Sequence, residues 1–140
     1  KMTNELEILP NEIFLNIFLY FSWDEILISF WSLNQRINHL VCSIFEINKY
    51  GIIFNQPGLS YKKFSKILLP LVFNSSSLCS SIKYIHFDGI NSIPFNLIYQ
   101  NIFSHSDKFH LYFSNLKSLY ITRCLLSQSL IQILSFLIQY

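Results

Sequence analysis

The densest cluster of chemically capable side chains lies at His105-Ser106-Asp107, with His110 close behind. An imidazole, a hydroxyl and a carboxylate are the parts of a nucleophilic or metal-binding site, but they act only within mutual reach of one another. Their spacing follows neither a helix face nor a strand face, and the segment has the composition of a polar loop, so no catalytic or ligand role is expected of it. Cys42, Cys79 and Cys124 are far apart, odd in number and free of any C-x-x-C spacing, which supports neither a disulfide framework nor a zinc site. They read as small buried hydrophobes in a reducing compartment. Ser75-Ser76-Ser77 offers hydroxyls for modification, but by composition it is a loop. The three glycines never fall in a G-x-G context, so no phosphate-cradling loop is expected. Nothing in this inventory assembles a catalytic centre, a cofactor pocket or a metal site.

Composition narrows the partners. The 140 residues amount to one domain, or one small module and part of another. They are 51% hydrophobic and 13% charged, against about 25% charged in an average protein, the reverse of a disordered chain. A membrane span needs about 18 or more uninterrupted apolar residues. The run from Ile13 to Trp23 is broken by Asn16 and stopped by Asp24-Glu25, and the run from Leu125 to Tyr140 is laced with Ser and Gln. No secretory signal pattern is present, and no membrane association is expected. The net charge of +2 is scattered. Its densest spot, Lys62-Lys63 with Lys66, reads as a solvated helix face, whereas nucleic-acid surfaces need broader basic footprints. The many Phe and Tyr residues fall at core-like intervals rather than interleaving with Arg as stacking platforms. Nucleic acid is not an expected partner.

Stepping along the chain, Leu9-Pro10 opens a helix, since proline is tolerated in a first turn whose N–H groups lack intrahelical partners. Ile13, Phe14, Ile17, Phe18 and Phe21 recur at helical spacing to Phe21. Ser22-Trp23-Asp24-Glu25 has the form of a capping box, predicting a second helix over Trp23–Trp31 that carries Ile26, Leu27, Phe30 and Trp31. A third is predicted over Asn34–Asn48, with Ile37, Leu40, Val41, Ile44 and Phe45 on one face. Beyond Tyr50 the pattern alternates between strand and helix. Ile52-Ile53-Phe54 predicts a strand; a helix follows from Ser60, with Pro70 expected to kink or end it. Asn74 to Ser77 predicts a loop. Strands are expected around Ile82–Phe87 and Leu116–Ile121, and helices around Pro94–Phe103 and after Ser127.

These strand–helix units repeat. Ile52 to Ile85 is 33 residues, and Ile85 to Leu119 is 34, as is Ile82 to Leu116. A fixed period of this size is the signature of a solenoid, and Leu116-x-x-Leu119-x-Ile121-x-x-Cys124-x-Leu126 fits the leucine-rich repeat core. The unit at Ile82 departs from it, with Ile90 at the Asn/Cys position and Ser92 at the following Leu. An ordinary α/β sandwich of the same elements is the alternative. The pattern still runs at Tyr140, so further units are expected beyond it.

The stretch from Leu9 to Val41 resembles an F-box. The residues that carry the likeness are Leu9-Pro10-Asn11-Glu12-Ile13-Phe14-Leu15-Asn16-Ile17-Phe18, then Tyr20-Phe21 and Asp24-Glu25-Ile26-Leu27. Asn34 and Ile37 replace the family's Cys and aromatic residue in the third helix. The resemblance implies an α/β (α+β) chain with an N-terminal three-helix F-box at 6–48, followed at 49–140 by a short β/α solenoid of about three leucine-rich-repeat-like units that recognises substrate. It implies a non-enzymatic receptor subunit of an SCF-type cullin–RING ubiquitin ligase, in the cytoplasm, the nucleus or both. Its partners would be a Skp-type adaptor, through it a cullin, and a protein substrate. Three helices of about 40 residues struggle to build a core of their own. The rings of Phe14, Phe18, Tyr20, Phe21, Trp23, Phe30 and Trp31 therefore exceed what one inner face can bury, and some are expected to be shared with a partner. Leu9, Pro10, Ile13, Ile17, Phe18 and Ile26 are the adaptor-face candidates; the same residues would equally serve as intramolecular core. The competing functional reading is a small self-contained α/β structural or interaction protein with no ubiquitin role.

Overall fold

A computed structural model describes residues 8–47, 51–54, 59–88, 113–123 and 128–138. Pro10, lacking an N–H to leave unsatisfied, precedes α1 (Asn11–Phe18), and its carbonyl accepts from the N–H of Ile13 at 3.1 Å. Ser22 then starts α2 (Trp23–Phe30), where its backbone N–H donates to Glu25 Oε2 at 2.8 Å. Ser32, at φ 70°, turns the chain, and α3 (Gln35–Glu46) begins at Asn34, whose side chain accepts from the N–H of Ile37 at 2.9 Å. The two positions that depart from the F-box pattern therefore have local work: Asn34 caps a helix, and Ile37 is buried beneath it. The expected inner face of α3, from Ile37 to Phe45, is buried as a set.

β1 (Ile52–Phe54) follows, and Gly51 sits at its start because a Cβ there would lie 2.1 Å from the carbonyl oxygen of Tyr84. Next come α4 (Tyr61–Lys63), a π-helical turn (Phe64–Leu68), α5 (Leu69–Phe73) and α6 (Ser76–Ser81). Two sequence expectations are corrected here. Pro70 does not end the helix; a wider turn stands just before it, where the Leu69 N–H reaches back to the carbonyl of Phe64, and Pro70 enters at the first turn of α5, where a missing N–H costs least. The serine run is also not a loop. Ser75 accepts from the N–H of Leu78 as a helix cap, and the helix it starts buries Leu78, Cys79 and Ser81.

β2 (Tyr84–Asp88) and β3 (Ser118–Thr122) complete a parallel three-stranded sheet in the order β1-β2-β3, and α7 (Gln128–Ile138) follows. The register is the one the sequence spacing picks out: Ile52 pairs with Ile85, and Ile85 with Leu119. Phe54 pairs with Phe87 in the same way, and their rings stack at 5.0 Å, only 6° from parallel. Trp23 and Phe64 meet the Phe54 ring edge-on from α2 and from the π turn, at 5.7 and 5.2 Å. One continuous core thus joins the helical region to the sheet, across the expected boundary at residues 48 and 49. The chain is of mixed α/β class. The helix expected at 94–103, the histidine loop at 105–110, Cys124 and Ser127 lie outside the described residues.

Candidate docking face

Helix α1 carries two apolar stripes. Phe14 and Phe18 point inward and are buried, each worth about 1.5–3 kcal/mol in transfer from water. Phe18 also meets Phe30 edge-on at 5.0 Å, and Phe30 meets Phe21 at 5.5 Å. The second stripe follows the helical steps Pro10, Ile13, Ile17 and Tyr20. Pro10 is exposed and Ile17 half-buried, Ile13 is 43% exposed and Tyr20 88%. Leu19, beside Tyr20, is 49% exposed. Apolar surface concentrated on one short helix and its exit turn is the kind of feature that marks an interaction site.

This arrangement divides the adaptor-face candidates. Leu9, Pro10, Ile13 and Ile17 keep accessible surface, whereas Phe18 and Ile26 do not, at 0% and 1% exposed. The last two are corrected to core residues, buried where α1, α2 and α3 pack together.

The start of α1 is held by a residue that sequence reasoning did not single out. Arg36 on α3 donates from Nε to Asn11 Oδ1 at 2.8 Å and from its terminal nitrogen to the carbonyl of Leu9, and its guanidinium lies 5.7 Å from the Phe14 ring centre. A planar fork that binds two acceptors while stacking on a ring is a role lysine cannot fill. It fixes Leu9-Pro10 relative to α3. A long-range contact of this kind leaves no mark in local sequence.

Two further links tie the helical region to the β/α region. Trp23 Nε1 donates to the carbonyl of Ile53 at 2.9 Å, and the Lys63 ammonium pairs with Asp24 at 2.7 Å. Burial pushes the Asp24 carboxyl up, but hydrogen bonds from Lys63 and Ser22 and the Lys63 charge outweigh it and hold the group below its ordinary value. The N–H of Ser22, followed by its hydroxyl, lowers Glu25.

The outer face of the sheet is polar and aromatic. Tyr84 and Tyr120 lie 4.8 Å apart between ring centres, His86 Nε2 is 2.8 Å from Thr122 Oγ1, and Arg123 pairs with Asp88. These side chains are held by one another, and Tyr120 keeps 50% of its surface exposed. Neither described cysteine is poised for chemistry. Burial pushes Cys79 up to about 11, with its thiol donating to the carbonyl of Val72, and burial also raises Cys42 against weaker opposing hydrogen bonds from Ser81 and Ser77. Among the described residues no group of three His, Cys, Asp or Glu side chains converges as a metal site would, and no helix is long and apolar enough to cross a membrane.

Fold and face define a class, a mixed α/β chain with a parallel sheet and an apolar helix face turned outward. Comparison with known proteins adds no relative to that: no family model, no curated protein and no solved structure matches the chain.

Proposed function

We propose that this chain is the substrate-recognition subunit of an SCF-type cullin–RING ubiquitin ligase. It docks a Skp-type adaptor, and through it a cullin, with the outer stripe of α1. It presents the β/α part as a leucine-rich-repeat-like solenoid to a protein substrate, and it performs no catalysis itself. Its place of work is the cytoplasm, the nucleus or both. The observation that carries this reading is the pair of stripes on α1. The helix buries Phe14 and Phe18 and still shows water Pro10, Ile13, Ile17 and Tyr20, a surface that helix-packing recognition would use. The in-register pairing of Ile52, Ile85 and Leu119 supports the repeat reading of the remainder.

The test is co-purification with a recombinant Skp-type adaptor. Wild-type chain should be retained. The double variant Ile13→Asp/Ile17→Asp should lose at least a hundredfold in affinity while its circular dichroism stays unchanged. Arg36→Lys should bind more weakly by about tenfold, because the start of α1 is no longer fixed. Equal binding by wild type and the double variant removes the docking face from consideration.

The shared core favours one other reading. Trp23, Phe54, Phe64 and Phe87 pack as one cluster across both regions, as they would in a self-contained α/β interaction protein. A monodisperse monomer that is stable alone and indifferent to the adaptor would decide for it.

A further inference from the structure

The helix that runs from Tyr61 through the π turn to Phe73 is apolar on two sides. Phe64, Leu68 and Val72 face the core. Ile67, Pro70 and Leu71 form a second stripe, with Ile67 47% exposed. They line a groove of ≈ 490 Å³ together with the half-buried Trp31 that follows α2 and the exposed Asn74. A helix normally buries one apolar stripe and turns a polar face to water. This one has a second stripe, which shares a groove with a tryptophan and, among the described residues, with no acidic side chain.

Among the described residues the charge that lines the groove is positive. Lys66 lines it and is exposed, and Lys62, four residues earlier, is exposed as well. Among the described residues neither makes an ion pair, in contrast to Lys63 between them, which Asp24 holds. An apolar floor beside free ammonium groups is complementary to a ligand that carries large apolar side chains next to a carboxylate.

We propose that this groove is a second docking site, distinct from the α1 face, and that it takes a short acidic–apolar peptide segment of a partner protein. The apolar side chains of the segment would lie between Trp31 and the Ile67–Leu71 stripe. Its carboxylate would pair with Lys66, with Lys62 adding to the local field. None of the groove residues belongs to the α1 stripe, so the two sites fail independently.

The probe is a display library of random eight-residue peptides panned on the folded chain. The expected result is enrichment of peptides with Asp or Glu within two positions of Leu, Ile, Phe or Trp. A selected peptide should lose at least tenfold in affinity to Lys66→Glu and to Ile67→Ser, and Lys66→Glu panned afresh should enrich Lys and Arg instead. Ile13→Asp/Ile17→Asp should leave peptide binding unchanged, and Lys66→Glu should leave adaptor binding unchanged. All these positions keep solvent contact, so the variants should match wild type in thermal unfolding. Absence of enrichment, or enrichment indifferent to both groove substitutions, overturns the proposal. So does self-association that Ile67→Ser abolishes, because it would make a second copy of the chain the occupant.

Discussion

The helical region and the sheet region are both rich in aromatic rings and dispose of them in opposite ways. In the sheet, Phe54 and Phe87 sit on paired positions of neighbouring strands and stack on each other, with Trp23 and Phe64 closing the cluster. In the helical region, Phe14 and Phe18 go inward while Tyr20 and much of Ile13 stay in water. The inner face of the sheet spends its apolar residues on cohesion, and α1 keeps part of its own for contact. The difference shows that hydrophobic content alone does not distinguish core from interface; the direction of each stripe does.

The largest effect should come from the centre of the ring cluster. Phe54→Ala should cost about 3–5 kcal/mol in denaturant unfolding, the usual range for emptying a buried aromatic site. Because the core is continuous, amides of α3 and β2 should lose exchange protection together; separate losses would break the shared-core picture.

A smaller effect is expected at the joint between the regions. Asp24→Asn removes a charged partner from Lys63 and should cost about 1–3 kcal/mol at neutral pH. The Asp24 carboxyl titrates below its unfolded value, so its contribution is full above an unfolded pKa of about 3.9. It is then lost as the pH falls through the lower folded value. The gap between wild type and Asp24→Asn should thus hold steady from about pH 5 to 7 and close only in stronger acid, measured by urea midpoints across that range. A gap that closes above pH 5 would place the linkage elsewhere.

The smallest effect should be on α1. Ile13→Asp should shift stability by no more than about 0.5 kcal/mol, as exposed positions do. A loss of several kcal/mol in thermal or denaturant unfolding would turn that stripe into core and erase the contrast with the sheet.

What could be read beforehand follows the same division. The strand register was legible because the apolar strand positions recur at a near-constant spacing: the 33- and 34-residue steps from Ile52 to Ile85 to Leu119 are the observed partners. The three N-terminal helices were legible from Pro10, Ser22 and Asn34, local signals that act where they stand. The split of α1 into inner and outer stripes was not, because Ile13, Phe14, Ile17 and Phe18 are all apolar, and only the position of α3 decides which pair is covered. Arg36 escaped notice because its acceptors, Leu9 and Asn11, are 27 and 25 residues away. Pro70 and the serine run were misjudged for the opposite reason. There the local signals are strong, and a widened turn and a serine cap change their outcome.

The Trp23 indole donates to the carbonyl of Ile53 on β1, which stands at the edge of the described sheet with β2 as its neighbour. A helix side chain bonded to the backbone of an edge strand hinders the pairing of another strand there. A strand of a partner that sought this edge would first have to displace the Trp23 bond.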